Sequence, residues 1–443
     1  MLHFGTDGVR GVALDEFTPE LARDLARAIA RVLRPAAVVV GRDTRESGPI
    51  LERAVVDGCA AEGVVVHVMG VAPTPAVAFA SERNGWVGIA ITASHNPWQD
   101  NGIKVFAAGG SKLDDAEQVE IERVWHALVT DVPAVALGTE HDASDSLAEY
   151  ATHRANVVGM GLTGTTIVVD CANGAMSHVA PTVLREAGAT VVSINDTPNG
   201  RNINDGCGAA HVDGLVARVI AEKADAGIAF DGDGDRLTAV TASGLVVDGD
   251  HIIAMAAADL LQRGLLRNKG VAVTVMSNLG LHRALESLGI DVVVTPVGDR
   301  NVLAALDEFD YVLGGEQSGH VVHRAHATTG DGLLAALVLL EYVVRSRTTL
   351  DAAATIMQSY PQVLVNVRTV ERSNDPTADI AAEIASVEAE LAGNGRVLVR
   401  ASGTEPLVRV MVEATTEIQA ETCAARLASA LAEFHGGAVE ATR

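Results

Sequence analysis

Aromatic residues make up only 3% of the chain, so its core must be built mainly from Ala, Val, Leu and Ile. Cysteine is equally scarce. Cys59, Cys171, Cys207 and Cys423 form no CxxC pair and lie far apart, which argues against a disulfide framework or a thiolate zinc site. Positive charge is also short: Lys and Arg total 33 against 57 Asp and Glu, a formal net charge of -24. Such a surface is a poor match for nucleic acid or an acidic membrane. Small anions stay open, because a few arginines in a cleft override the global field locally. No apolar run approaches the roughly 18 residues of a membrane span. Met1 to Arg10 lacks the basic segment and apolar stretch of a secretory signal, so the expected location is the cytoplasm.

What is present is an α/β pattern. With 443 residues, 48% of them hydrophobic, the chain reads as globular, and about 100–200 residues per domain predicts two to four domains. Three times a helical stretch ends at Gly and runs into an apolar, β-branched strand: Cys59 to Gly63 before VVVHVM, Leu184 to Gly188 before ATVVSI, and Leu285 to Gly289 before IDVVVT. Gly suits the position after a helix, where φ turns positive. The near-continuous Val/Ile runs predict strands buried on both faces. Strand–helix alternation predicts parallel layers, and three occurrences predict three related α/β domains in series. The C-terminal segment differs. Strands at 363–370, 396–400 and 407–413, a helix over about 377–391 and a final helix predict an α+β domain with antiparallel pairing. Boundaries near Tyr150, Asp250 and Pro361 give domains 1–150, 151–250, 251–361 and 362–443. Without a low-complexity linker, they are expected to surround one central cleft.

Four segments carry candidate chemistry. In GIAITASHNPWQDNGIKVF (88–106), a buried-strand pattern leads into a polar turn with Ser94, His95, Asn96 and Pro97, a rigid, exposed setting for a nucleophile. Alone, it fits an ordinary Ser-Asn-Pro turn equally well. It lacks the GxSxG elbow of a serine hydrolase. In IAFDGDGDRLTAV (228–240), Asp231, Asp233 and Asp235 alternate with glycines. In extended backbone they point the same way, and their mutual repulsion calls for a cation. All-oxygen ligands suit Mg²⁺. An EF-hand is excluded by Arg236 and Ala242, where Gly and Glu are required. In YVLGGEQSGHVV (311–322), Glu316 can accept hydrogen bonds from sugar hydroxyls and His320 can move protons. In VLVRASGTEPLVRVMVE (397–413), Arg400, Ser402, Gly403, Thr404 and Arg409 surround a turn suited to cradle phosphate. Each of the last two also reads as a structural turn when taken alone.

Taken together and in this order, the four segments resemble the α-D-phosphohexomutase family over essentially the whole chain. FGTDGVRG (4–11), GDR (298–300), Gln317 within GEQSGH, TTGDG (328–332) and RASGTEPLVRVMVE resemble the branch acting on glucosamine phosphate. The resemblance implies four domains around a cleft: a phosphoserine domain, a metal-binding domain, a sugar-binding domain and a phosphate-binding domain. It implies conversion of glucosamine 6-phosphate to glucosamine 1-phosphate through a 1,6-bisphosphate, feeding UDP-N-acetylglucosamine synthesis. By the same resemblance, Ser94 carries the phosphate, and Mg²⁺ is held by Asp231, Asp233, Asp235 and a phosphoserine oxygen. Arg10, Lys104 and Arg236 surround the moving phosphoryl group, and Lys104 and His320 are the acid/base candidates. Glu316 and Ser318 hold sugar hydroxyls; Arg400, Ser402, Gly403, Thr404 and Arg409 bind the non-reacting phosphate. The partner is a phosphosugar, and a homodimer is compatible with it. Ala209-Ala210, Asn301 and Ala401 depart from the branch pattern. Phosphomannomutase/phosphoglucomutase activity is the alternative within the family. A phosphatase using Asp231 as nucleophile would leave the Ser94 and Arg400 loops unexplained, and a binding protein would need neither an acceptor Ser nor a carboxylate triad.

Overall fold

The computed structural model describes residues 2–5, 7–128, 138–370, 375–401 and 406–439. These fall into two compact units, Met1–Met276 with Leu288–Ile356, and Ser277–Ser287 with Met357–Arg443. No helix among the described residues is long and apolar enough to cross a membrane.

The first unit holds three sheets. One comprises β1 (Val9–Val12), β2 (Ala37–Arg42), β3 (Val65–Val71), β4 (Val87–Ile91), β5 (Asp100–Phe106) and β6 (Glu140–Asp142), in the order β1-β5-β4-β2-β3-β6. The second has β7 (Thr166–Asp170), β8 (Thr190–Ile194), β9 (Ala226–Phe230), β10 (Leu237–Thr241) and β11 (Val246–Val247), in the order β11-β10-β9-β7-β8. The third has β12 (Gly270–Thr274), β13 (Asp291–Thr295), β14 (Leu313–Gly315) and β15 (Val321–His323), in the order β13-β12-β14-β15.

One pattern recurs in all three: three parallel strands followed by an antiparallel fourth. It is β3, β2, β4 then β5; β8, β7, β9 then β10; and β13, β12, β14 then β15. The three α/β domains expected from the sequence are therefore present, and the antiparallel strand is a feature the sequence reading lacked. Gly63, Gly188 and Gly289 take φ of +80°, +100° and +66°, as the helix-ending role requires. The strands after them are not the doubly buried ones, however. β8 and β13 lie at sheet edges and β3 is flanked by the short β6, so all three are part-exposed; their inner neighbours β2, β7 and β12 are buried almost throughout, as are β4 and β9. A Val/Ile run reports affinity for a pleated surface, not position in the sheet.

The scarcity of aromatics shows in the packing. Helix Pro19–Leu33, capped by Thr18, buries Ala22, Leu25, Ala26 and Ile29. It meets helix Gly48–Ala61 so closely that a Cβ at Gly58 would lie 2.3 Å from the Arg23 carbonyl oxygen. Small residues permit the close approach that replaces large side chains.

The second unit is the expected antiparallel α+β module. Strands β16 (Gln362–Arg368), β17 (Arg396–Ala401), β18 (Leu407–Glu413) and β19 (Ala438–Val439) run β17-β18-β16-β19. The helix predicted over 377–391 is broken at Ile380 (φ -128°) into Pro376–Asp379 and Ala381–Leu391. Helix Leu279–Ser287 belongs to this unit. Buried Glu413 joins them, accepting from Leu279 N at 2.8 Å, Arg396 at 2.8 and 3.0 Å and Gln362 at 2.8 Å.

Candidate active site

The turns between the third parallel strand and the antiparallel fourth hold three of the four candidate segments: Ser94 after β4, the Asp triad after β9, and Glu316 to His320 after β14. All three lie at carboxyl ends of parallel strands, where α/β sheets commonly bind ligands.

Ser94 is buried with φ +51°, a left-handed conformation costly for a residue with a Cβ. Its surroundings hold it there. Buried Arg45 donates to the carbonyls of Ser94 (3.0 Å), Asn96 (2.8 Å), Asp100 (2.9 Å) and Pro97. Asn204 donates to Ser94 O and Asn96 O at 2.8 and 3.0 Å. Asp43 orients Arg45 at 2.9 Å and accepts from Thr92 at 2.7 Å; Thr92 in turn accepts from Ser94 N at 2.8 Å. Arg45 and Asn204 were missed in the sequence. The signal for Arg45 was GRDTRESG (41–48), charge placed directly after a buried strand.

Ser94 Oγ donates to Asp231 Oδ2 at 2.6 Å and lies 3.3 Å from His95 Nδ1. Burial, with Arg236 and Arg10 nearby, lowers the His95 imidazole to about 4. Asp231, Asp233 and Asp235 are all buried and bring carboxylate oxygens within 4.8 Å of one another. The route differs from the extended one expected. Residues 231–236 form a turn, with Gly234 at φ +76°, and the curl of the turn makes the carboxylates converge. Gly232 admits the Ser94 turn, since a Cβ there would lie 2.6 Å from Ser94 O.

The charges of the triad are partly met by protein. Buried Lys104 Nζ contacts Asp233 Oδ2 (2.8 Å), Asp235 Oδ2 (2.7 Å) and Asp7 Oδ2 (2.7 Å), and Thr74 Oγ1 donates to Asp233 Oδ2 at 2.6 Å. Burial opposes the ammonium, but these carboxylates outweigh it and hold Lys104 well above its usual range. Burial likewise opposes ionisation of Asp233, but Lys104 prevails and the carboxyl lies below its ordinary value. Asp231 is pushed well up, by burial first and then by Asp233 and Asp235. Asp233 Oδ1 and Asp235 Oδ1 are buried without a hydrogen-bond partner among the described residues. Uncompensated carboxylate oxygens facing one point are what a hard divalent cation would satisfy, so the donor set fits Mg²⁺.

A cavity of ≈ 580 Å³ opens over these groups, lined by residues of all three sheets' loops including His95, Asp231, Arg236, Glu316, Gln317 and Ser318. Ala209 and Ala210, which depart from the branch pattern, also line it. The 316–320 segment is a turn, and Gln317 lines the cavity together with Glu316 and Ser318. Gln317 Nε2 is 3.4 Å from Asp248 Oδ2, and its carbonyl accepts from Gly249 N at 3.0 Å. Glu316 Oε1 accepts from Gly298 N at 3.0 Å. His320 is buried and neither ring nitrogen has a hydrogen-bond partner among the described residues. Arg10 donates to Asp7 at 2.8 Å, and Arg236 Nε stands 4.0 Å from Asp235 Oδ1. Asp7 and Thr74 carry these contacts, and Lys112 pairs with Asp7 in turn, but none of the three had an assigned part in the sequence reading.

In the second unit Arg400 and Arg409 are directly opposed across β17 and β18. Burial and then the neighbouring Arg409 lower Arg400 from its ordinary value. Like charges opposed on a ladder are unfavourable unless an anion joins them. Ser402, Gly403 and Thr404 lie outside the described residues.

Comparison with known proteins agrees with this arrangement. The phosphoglucomutase/phosphomannomutase family models match residues 1–129 (alpha/beta/alpha domain I), 148–244 (domain II), 248–360 (domain III) and 364–430 (C-terminal domain). A phosphoglucosamine mutase of Thermobifida fusca is 52% identical over 435 residues, covering 96% of this chain and 97% of that protein. One of Mycolicibacterium paratuberculosis is 46% identical, covering 97% and 98%. The crystal structure of a phosphoglucomutase/phosphomannomutase family protein from Burkholderia thailandensis superposes with a TM-score of 0.81 at 26% identity, over 98% of each chain. With every domain matched in order and relatives alike along nearly the whole length, the chain belongs to the phosphoglucomutase/phosphomannomutase family of α-D-phosphohexomutases.

Proposed function

We propose that this enzyme interconverts glucosamine 6-phosphate and glucosamine 1-phosphate through a phosphoserine at Ser94. The observation that carries the chemistry is Ser94 Oγ, held in a strained turn 2.6 Å from Asp231 and beside two further buried carboxylates. The sugar is supported by the phosphoglucosamine mutases that this chain resembles at about half identity over nearly its full length.

In the forward direction the phosphoryl group leaves Ser94 Oγ and bonds to O1 of glucosamine 6-phosphate, whose hydroxyl proton passes to a base. The 1,6-bisphosphate turns over, and its 6-phosphoryl group returns to Ser94 Oγ. The sugar O6 regains a proton, and glucosamine 1-phosphate departs. Lys104, held as an ammonium by three carboxylates, suits charge stabilisation; His320, with both nitrogens unpartnered, suits proton transfer. Arg10 and Arg236 flank the moving group. Glu316 and Ser318 hold hydroxyls, while Arg400, Ser402, Gly403, Thr404 and Arg409 take the phosphate that is not reacting. Asp231, Asp233, Asp235 and a phosphoserine oxygen would hold Mg²⁺, which when bound supplies neutralising charge to phosphoryl oxygens.

Phosphorus NMR on a panel of glucosamine, glucose and mannose 6-phosphates tests the proposal. The highest kcat/KM should fall on glucosamine 6-phosphate, with glucose 6-phosphate slower. Equal or better efficiency on mannose 6-phosphate would reassign the sugar while keeping the mutase chemistry.

A further inference from the structure

His320 sits in a slot that does not by itself orient the ring. It is 3% exposed, and neither Nδ1 nor Nε2 has a hydrogen-bond partner among the described residues. The backbone at Gly330 closes one side: a Cβ there would lie 2.4 Å from Nε2 and 2.5 Å from Cδ2. Asp299 stands beside the ring, its Oδ2 3.8 Å from Nε2. Asp299 is itself buried, at the start of helix Asp299–Glu308. Its Oδ1 accepts from Arg300 N at 2.8 Å, and its Oδ2 takes Lys112 Nζ at 2.9 Å. Lys112 also holds Asp7, which pairs with Lys104. Beside His320, a row of alternating charge thus runs from buried Asp299 through part-buried Lys112 and Asp7 to buried Lys104. The same turn supplies Gly298 N to Glu316, so one segment steadies both ends of the sugar loop.

We propose that Asp299 is the positioning residue of His320: it accepts from Nε2–H, fixes that tautomer and leaves Nδ1 as the nitrogen that exchanges the proton. The proposal rests on the mutase reading above. A gap of 3.8 Å exceeds a hydrogen bond by somewhat under an ångström, and contacts of this kind are often long in unliganded enzymes and shorten when substrate binds. Burial would raise the Asp299 carboxyl, but Lys112 outweighs it and keeps the group below its ordinary value. It is therefore an acceptor, the role the imidazole N–H requires.

The test uses the phosphorylated, Mg²⁺-loaded enzyme and its Asp299→Asn variant. One amide oxygen cannot serve Arg300 N on one side and both Lys112 and His320 on the other. The expected result is a kcat lower by about tenfold or more, with KM for glucosamine 6-phosphate changed less than about threefold. Nitrogen-15 NMR of the wild-type imidazole, assigned with His320→Gln, should show the Nε2–H tautomer, and Asp299→Asn should lose that preference. Unchanged kcat in a folded variant, or an Nδ1–H or doubly protonated ring in the wild type, would overturn the proposal. If Asp299→Asn does not fold, the wild-type spectrum alone decides. Absence of wild-type turnover on every sugar phosphate would instead refute the mutase reading, and the tautomer would still be read independently.

Discussion

A serine at φ +51° is held there by more than its own turn, and the group that holds it hardest is Arg45. Removing that guanidinium leaves Asp43 buried without its counter-charge and frees several loop carbonyls. Arg45→Ala should cost about 3–5 kcal/mol, the usual penalty for breaking one side of a buried pair, read as a lower urea midpoint. Ser94→Ala is a different experiment. It should preserve the fold, abolish the phosphoryl group in intact-mass measurement and lower turnover on the order of 10³-fold or more. Wild-type rates in that variant would end the serine mechanism. Chelation should act through the two unpartnered oxygens of Asp233 and Asp235. EDTA is expected to abolish activity and Mg²⁺ to restore it, and Asp233→Asn should weaken both the rate and the dependence on metal. Full activity in chelator would remove the ion from the chemistry.

At the scale of elements, the recurring turn between a parallel and an antiparallel strand explains why chemically unrelated loops meet. Close backbone contacts keep them in place. Gly249, at the start of helix Gly249–Gln262, is one: a Cβ there would lie 2.1 Å from Glu316 O and 2.8 Å from Gly319 N. Gly249→Ala must displace the 316–320 loop. It should reduce kcat/KM by about tenfold or more while Ser94 still accepts phosphate, which intact mass and steady-state kinetics can separate. The sequence made the element types legible through Val-rich strands and helix-ending glycines. It misplaced which strands are buried and joined the two helices that part at Ile380, because neither depends on local periodicity.

For the whole molecule, buried histidine makes stability depend on pH. His323 on β15 is 5% exposed, and burial followed by His326 lowers it from 6.5 to about 4. The folded chain keeps this ring neutral while the unfolded chain protonates it below about 6.5. Its contribution is therefore present above that value and lost as pH falls towards 4. The loss between pH 7 and pH 5 should be about 2 kcal/mol at most, seen in urea midpoints. His323→Leu should flatten that part of the profile; an unchanged slope would assign the pH dependence elsewhere.

Composition, spacing and order were enough to reach the α/β repeat and the antiparallel C-terminal module, and to single out the strings that hold Ser94, the Asp triad and Glu316 to His320, because each is a local string with its own pattern. Asp231, Asp233 and Asp235 are two residues apart, so their convergence was legible even though a turn, not a strand, produces it. Asp7, Arg45, Thr74, Lys112, Asn204 and Asp299 were different. Their partners lie far along the chain, as Asn204 from Ser94 or Lys112 from Asp299, and a charged residue in a string does not show which opposite charge it will meet. The sequence by itself determined which groups are available for phosphoryl chemistry. Only the tertiary structure decided which are buried, which neutralise one another and which oxygens are left without a partner, because burial and pairing depend on distances that chain separation does not encode.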